Sequence, residues 1–211
     1  MEKTRFFVHE PAVGQLRGVL LILWHGAGGD VDEKTIVATA KAFAEAGAIA
    51  VRARFPYRLK GKKMPDRMPV LVNDARETIA EVRRATGARD HRLVLGGRSM
   101  GGRVASMLAA EGDPVSSLVF LSYPLHPAGQ PEKLRSAHLP SIACPMLFVG
   151  GDRDALCRLD LLQPILQGLG ARAALHLYPG EDHSLRRVDP EAVAKRIVEW
   201  VGNRADIKNA D

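Results

Sequence analysis

The chain returns again and again to short apolar runs rich in leucine and β-branched residues. They are "LRGVLLILWHG" (16–26), "AIAVRARF" (48–55), "HRLVLGG" (91–97), "PVSSLVFLS" (114–122), "PMLFVGG" (145–151) and "RAALHLYP" (172–179). Parallel strands buried on both faces have this character. Between most of the runs lie helical patterns. Residues 33–46 carry Ile36, Ala40 and Phe43 and stop at Gly47, while residues 67–86 repeat Met68, Leu71, Val72, Ala75, Ile79 and Val82 and stop at Gly87. Glycine in that place is what a helix C-terminus favours. A last helix opens with Asp189 as N-cap and Pro190 at its first position, and turns Val193, Ile197 and Trp200 inward. Parallel strands need crossover connections, and crossovers made of helices cover both faces of the sheet. The expected class is therefore α/β, a mainly parallel central sheet with helices on both faces. No linker, internal repeat or low-complexity stretch interrupts it, so one domain over residues 1–211 is expected.

One connection breaks the alternation. Residues 123–144, "YPLHPAGQPEKLRSAHLPSIAC", hold four prolines and no sustained period, which reads as a loop with a helical turn. A helical cap domain needs more chain. Any site beneath this loop should be shallow and open.

Gly97-Arg98-Ser99-Met100-Gly101 fits G-x-S-x-G, follows a strand and precedes a helix-like run with Val104, Met107 and Leu108 that ends near Gly112. In that context the pattern makes a sharp strand-to-helix turn that exposes the serine oxygen. Gly97, Gly101 and Gly102 let the turn close against neighbouring backbone. A serine hydroxyl is a poor nucleophile without a base oriented by a carboxylate. His183 lies in "YPGEDHSLRR" just beyond the last strand, and Asp154 lies in "FVGGDRDALC" just beyond the strand before it. All three residues fall at C-terminal strand ends, where open α/β sheets build their sites. Asp152 leaves the same strand as Asp154 and is the alternative acid; the longer reach from Gly151 to Asp154 favours the latter. Acyl transfer also needs donors for the developing oxyanion, and the backbone N–H groups of Met100 and of Ala27, in "WHGAGGD", are the candidates. His25 reads as a structural residue bonding backbone. Arg98, beside the serine, and His126, in the loop over it, are candidates for substrate contact or for structural hydrogen bonding.

Composition narrows the function. Hydrophobic residues make up 46% and charged residues 26%, as in ordinary globular proteins. No apolar run approaches the ~20 residues of a membrane span, and the start "MEKTRFFVHE" lacks a signal peptide's apolar stretch, so a cytoplasmic location without membrane contact is expected. Cys144 and Cys157 are too few for a disulfide framework, and the remaining histidines are scattered singly, so no metal is expected. No P-loop or dinucleotide fingerprint occurs, and no cofactor is expected. Thirty Lys and Arg against 24 Asp and Glu give a net charge of +6. Arg52 to Arg67 hold seven basic residues and one acid, Asp66, which reads either as a solvated loop or as a contact for an anionic ligand. With few interleaved aromatics and no binding motif, nucleic acid is not expected as a partner. The sequence leaves the oligomeric state open.

Taken together, "HGAGG", "FPYRLKGKKMPD", "GGRSMGGR", "YPLHPAGQPEKLR", "GDRDALC" and "GEDHS" resemble a small branch of the α/β-hydrolases. This branch is similar to dienelactone-hydrolase-like proteins and to the hydrolase-like testis-expressed and chromatin-associated proteins of animals. The resemblance runs roughly from Arg5 to Gly202. It implies the α/β-hydrolase fold with no cap domain, with Ser99 as nucleophile, Asp154 as acid and His183 as base. Dienelactone hydrolase itself uses a cysteine nucleophile, and neither Cys144 nor Cys157 sits in an elbow, so that enzyme's substrate does not carry over. The expected activity is a serine hydrolase cleaving a small-molecule ester, or else a thioester or amide, through an acyl-enzyme. The alternative is a hydrolase-like binding or scaffold protein without turnover, as the animal relatives suggest.

Overall fold

The computed structural model describes residues 4–205. In chain order the elements are β1 (Phe6–His9), β2 (Val19–Trp24), α1 (Lys34–Glu45), β3 (Ile49–Ala53), α2 (Pro56–Leu59), α3 (Met68–Thr86), β4 (Arg92–Arg98) and α4 (Met100–Ala110). They continue with β5 (Ser117–Leu121), β6 (Met146–Gly151), α5 (Leu159–Leu169), β7 (Ala173–Tyr178) and α6 (Pro190–Ala205). One sheet takes the order β1-β3-β2-β4-β5-β6-β7, with β1 antiparallel to β3 and the other pairs parallel. From β2 the chain moves outward to β3, then returns to place β4 on the other flank of β2 and proceeds away from it. The order thus reverses between β2 and β4. Loops leaving those two strands diverge, and a crevice opens at their C-terminal ends.

Strand side chains alternate between faces, and the core divides accordingly. Leu20, Ile22 and Trp24 of β2 pack with residues of α3, α4 and α5, whereas Val19, Leu21 and Leu23 pack with residues of α1 and α6. All six are buried, which is why β2 reads as an unbroken apolar run; each such side chain contributes about 1.5–3 kcal/mol through burial. Helix ends follow their local chemistry. Glu33 caps α1 through the N–H of Ile36 at 3.1 Å, Gly87 closes α3 at φ 69°, and Asp189 Oδ1 accepts from Glu191 N–H at 3.2 Å before α6. On α6 the inward seat expected for Trp200 belongs to Val201; Trp200 is half-buried under the guanidinium of Arg204, 4.1 Å from its ring.

Three elements go beyond the sequence reading. β1 is four half-buried residues at the sheet edge, too short for an alternation pattern. α2 is a single turn. α5 contains Pro164 and Gly168, both poor helix formers, and is held by packing that buries Leu162 and Leu169. Between β5 and β6 the chain forms only one turn of 3₁₀ helix, Leu139–Ser141, so no cap stands over the crevice. Among the described residues no helix is long and apolar enough to cross a membrane.

Candidate active site

The turn after β4 forces Ser99 to φ 49° and ψ −111°, a conformation that non-glycine residues rarely adopt. It is held from both sides. Ser99 N–H donates to Leu121 O at 2.8 Å, and Arg103 N–H donates to Ser99 O at 3.1 Å as α4 begins. A Cβ on Gly97 or on Gly101 would stand 2.2 Å from the carbonyl oxygen of Trp24, so only glycine lets β4 and α4 close this tightly on β2.

His183 and Asp154 meet the serine from the loops after β7 and β6. His183 Nε2 lies 3.0 Å from Ser99 Oγ, and its Nδ1 lies 2.7 Å from Asp154 Oδ2. The Asp154 side chain is 1% exposed and its other oxygen accepts from Leu156 N–H at 2.8 Å. Asp152 is employed elsewhere, accepting from Gly180 N–H at 2.6 Å. The two loops are fastened to each other. Arg153 N–H donates to Glu181 O at 2.9 Å, and a Cβ on Gly151 would fall 2.1 Å from that same oxygen. Arg98 Nη2 donates to the backbone carbonyl of His183 at 2.6 Å, so this arginine grips the histidine loop. With a proton on Nδ1 shared toward Asp154, Nε2 is the acceptor for the serine hydroxyl.

The loop after β2 closes the other side. A Cβ on Gly26 would sit 3.6 Å from Ser99 Cβ, which puts the 26–29 backbone beside the serine. Tyr57 donates to Ala27 O at 2.7 Å and stays a phenol, its pKa pushed up to about 12 by burial. His25 bonds backbone at both nitrogens, Nδ1 to Gly26 O at 2.8 Å and Nε2 accepting from Phe55 N–H at 3.3 Å, and burial lowers its pKa. The N–H groups of Ala27 and Met100 have no acceptor among the described residues; Met100 is the first residue of α4, where helix donors are free.

Two alternatives left open by the sequence meet specific contacts. His126 is buried, with Nδ1–H on Pro127 O at 3.0 Å and Nε2 accepting from Arg158 N–H at 3.4 Å, which leaves no polar atom for a substrate. It pins the proline-rich loop to the start of α5. The basic stretch is partly neutralised as well: Arg52 pairs with Asp32 at 3.2 Å, and Asp30 takes Arg54 at 2.6 Å and Arg58 at 3.4 Å. Lys60, Lys62 and Lys63 are exposed and form no ion pair among the described residues. Tyr57 and the packing role of Gly151 were missed by sequence reading, the first because no motif marks it, the second because that role is a contact with a distant loop. Burial raises both thiols, Cys144 to about 11 and Cys157 to about 12, so neither is a ready thiolate. Among the described residues no three His, Cys, Asp or Glu side chains converge as metal ligands.

A family model described as an alpha/beta hydrolase domain matches residues 17–198. Among solved structures, the chain is similar to an a/b serine hydrolase without lid from Xanthomonas campestris, at TM-score 0.74 and 23% identity over 94% of this chain and 88% of that one. It is similar to Est1E from Butyrivibrio proteoclasticus with ferulic acid bound, at TM-score 0.73 and 20% identity over 94% of each chain. A dienelactone hydrolase from Anabaena variabilis aligns at TM-score 0.74 and 19% identity over 94% of this chain and 90% of that one. These three share the fold of the chain.

Proposed function

The chain belongs to the alpha/beta hydrolase domain family, with that fold and no cap domain, and from this premise we propose that it is a serine hydrolase cleaving a small carboxylic ester through an acyl-enzyme. One observation carries the reading: the unbroken relay from Ser99 Oγ through His183, at 3.0 Å, to Asp154, at 2.7 Å, beginning at a strained elbow. In the proposed reaction His183 Nε2 takes the hydroxyl proton as Ser99 Oγ attacks the ester carbonyl. The N–H groups of Met100 and Ala27 receive the oxyanion, and Asp154 stabilises the imidazolium. His183 then returns the proton to the leaving alcohol. Water, deprotonated by the same histidine, releases the acid and restores Ser99.

A fluorophosphonate probe tests the nucleophile directly, because rapid attack on phosphorus needs an activated serine beside oxyanion donors. Labelling is expected in the wild type and lost in Ser99→Ala and His183→Ala, with turnover of p-nitrophenyl esters lost in parallel. A folded wild type that is neither labelled nor active would point instead to a hydrolase-like binding protein. Substrate charge is a second readout. Lys60, Lys62 and Lys63 have no ion-pair partner among the described residues and lie on the connection after β3, which leaves the same sheet end as Ser99. An anionic ester should therefore be captured faster than a neutral one of equal size. Salt should erode the advantage, as exposed charges are screened beyond ~10 Å at 0.1 M. Lys62→Ala with Lys63→Ala should shrink the preference in kcat/KM and leave neutral-ester turnover unchanged; an unaltered preference returns the loop to a solvating role.

A further inference from the structure

The strands β2 to β7 all run the same way, so their starts gather at the end of the sheet opposite Ser99. There the chain leading into β4, β5, β6 and β7, with the last turns of α3 and α6, lines an open hollow of about 920 Å³. This is the size of a small-molecule site. Arg83, His91, Arg92 and Arg204 line it, and among the described residues no Asp or Glu does; Val19, Val115 and Val201 are among its apolar wall. Among the described residues, Arg83, His91 and Arg92 have no side-chain hydrogen bond or ion pair, and Arg83 Nε is buried without an acceptor. The guanidinium groups of Arg83 and Arg92 thus have no partner among the described residues, and an anion in the hollow would complement both. Last-turn cations also complement helix dipoles, which suits Arg83 and Arg204. That role does not extend to His91 and Arg92, which precede and begin a strand.

We propose that this hollow binds an amphiphile with an oxyanionic head, carboxylate or phosphate, held by Arg83 and Arg92 while its hydrocarbon lies along the apolar wall. The site is separate from the Ser99 crevice and stands whether or not the catalytic reading does.

Calorimetric titration of the full chain with dodecanoate and dodecyl phosphate, below their micelle concentrations, tests it, with dodecanol as the uncharged control. At least one acid should bind the wild type and Ser99→Ala equally, and which one binds identifies the head group. Affinity should fall by about tenfold or more in Arg83→Ala with Arg92→Ala. Ser116→Trp, at an exposed residue lining the hollow, should block binding with the melting temperature kept. The proposal is overturned if neither acid binds, if binding survives both changes, or if dodecanol binds as tightly. It is equally overturned if Ser99→Ala abolishes binding, since the ligand then sits in the crevice.

Discussion

Asp152 and Asp154 leave β6 two residues apart, yet only Asp154 has an oxygen 2.7 Å from His183 Nδ1, while Asp152 closes a backbone bond to Gly180. Asp154→Asn is therefore expected to lower kcat by about 10²-fold or more, because an amide does not favour the imidazolium, and Asp152→Asn far less. Ester turnover of both variants at matched folding stability checks this, and the opposite ranking would reassign the acid. Arg98 touches the relay only through the backbone carbonyl of His183, to which it donates at 2.6 Å. Arg98→Ala should lower kcat by about tenfold with KM little changed, and Arg98→Lys should recover part of the loss, since a donor remains within reach. An effect on KM alone would make it a substrate contact instead. Sequence spacing could nominate Ser99, Asp154 and His183, but it carried no information on which way His126 faces. A residue in a loop above a site can as readily turn into the protein, and His126 does.

At the scale of elements, two glycines separate conformation from contact. Gly87 closes α3 at φ 69° with open space around it, so Gly87→Ala should cost about 1 kcal/mol from backbone strain alone and leave catalysis intact. Gly151 ends β6 against the backbone of Glu181, where a Cβ would collide at 2.1 Å. Gly151→Ala should cost clearly more in denaturant unfolding, and it should also reduce turnover, because it wedges the Asp154 loop away from the His183 loop. Equal costs for the two would mean the loops adapt freely. The runs that became β2, β4, β5 and β6 were legible because burial on both faces demands apolar residues at every position. α5 was not, since Pro164 and Gly168 lower its intrinsic propensity and its stability comes from what it packs against.

Across the whole molecule, the chain before β1 is strapped to α3 by Arg5, which bonds Asp74 and Glu81 at 2.9 Å each and Thr78 at 3.1 Å. Burial pushes the Asp74 carboxyl up to about 6 from its ordinary 3.8, against the opposing pull of Arg5. In the native state it keeps its proton where the unfolded chain has released it. The stability it contributes is therefore full below about pH 3.8 and lost as pH rises through about 6. Relative to Asp74→Asn, wild-type unfolding free energy should fall across that window by about 2–3 kcal/mol. Parallel denaturation curves for the two proteins would check it, and identical pH dependence would show that Arg5 fully offsets the burial.

Sequence alone determined the alternation of strand and helix, the elbow around Ser99 and the order of the candidate relay, because apolar periodicity, helix caps and a tight glycine turn are demands made by neighbouring residues. Tertiary structure decided the rest. The reversal between β2 and β4 opens the crevice, and Ser99 meets His183 across 84 residues of chain. The same folding placed Asp154 rather than Asp152 against His183, turned His126 inward, paired three arginines of the basic stretch and gathered Arg83, His91, Arg92 and Arg204 around one hollow. Each of these is a contact between segments far apart in the chain, set by how helices and loops pack on a twisted sheet, and no local pattern of residues encodes such a distance.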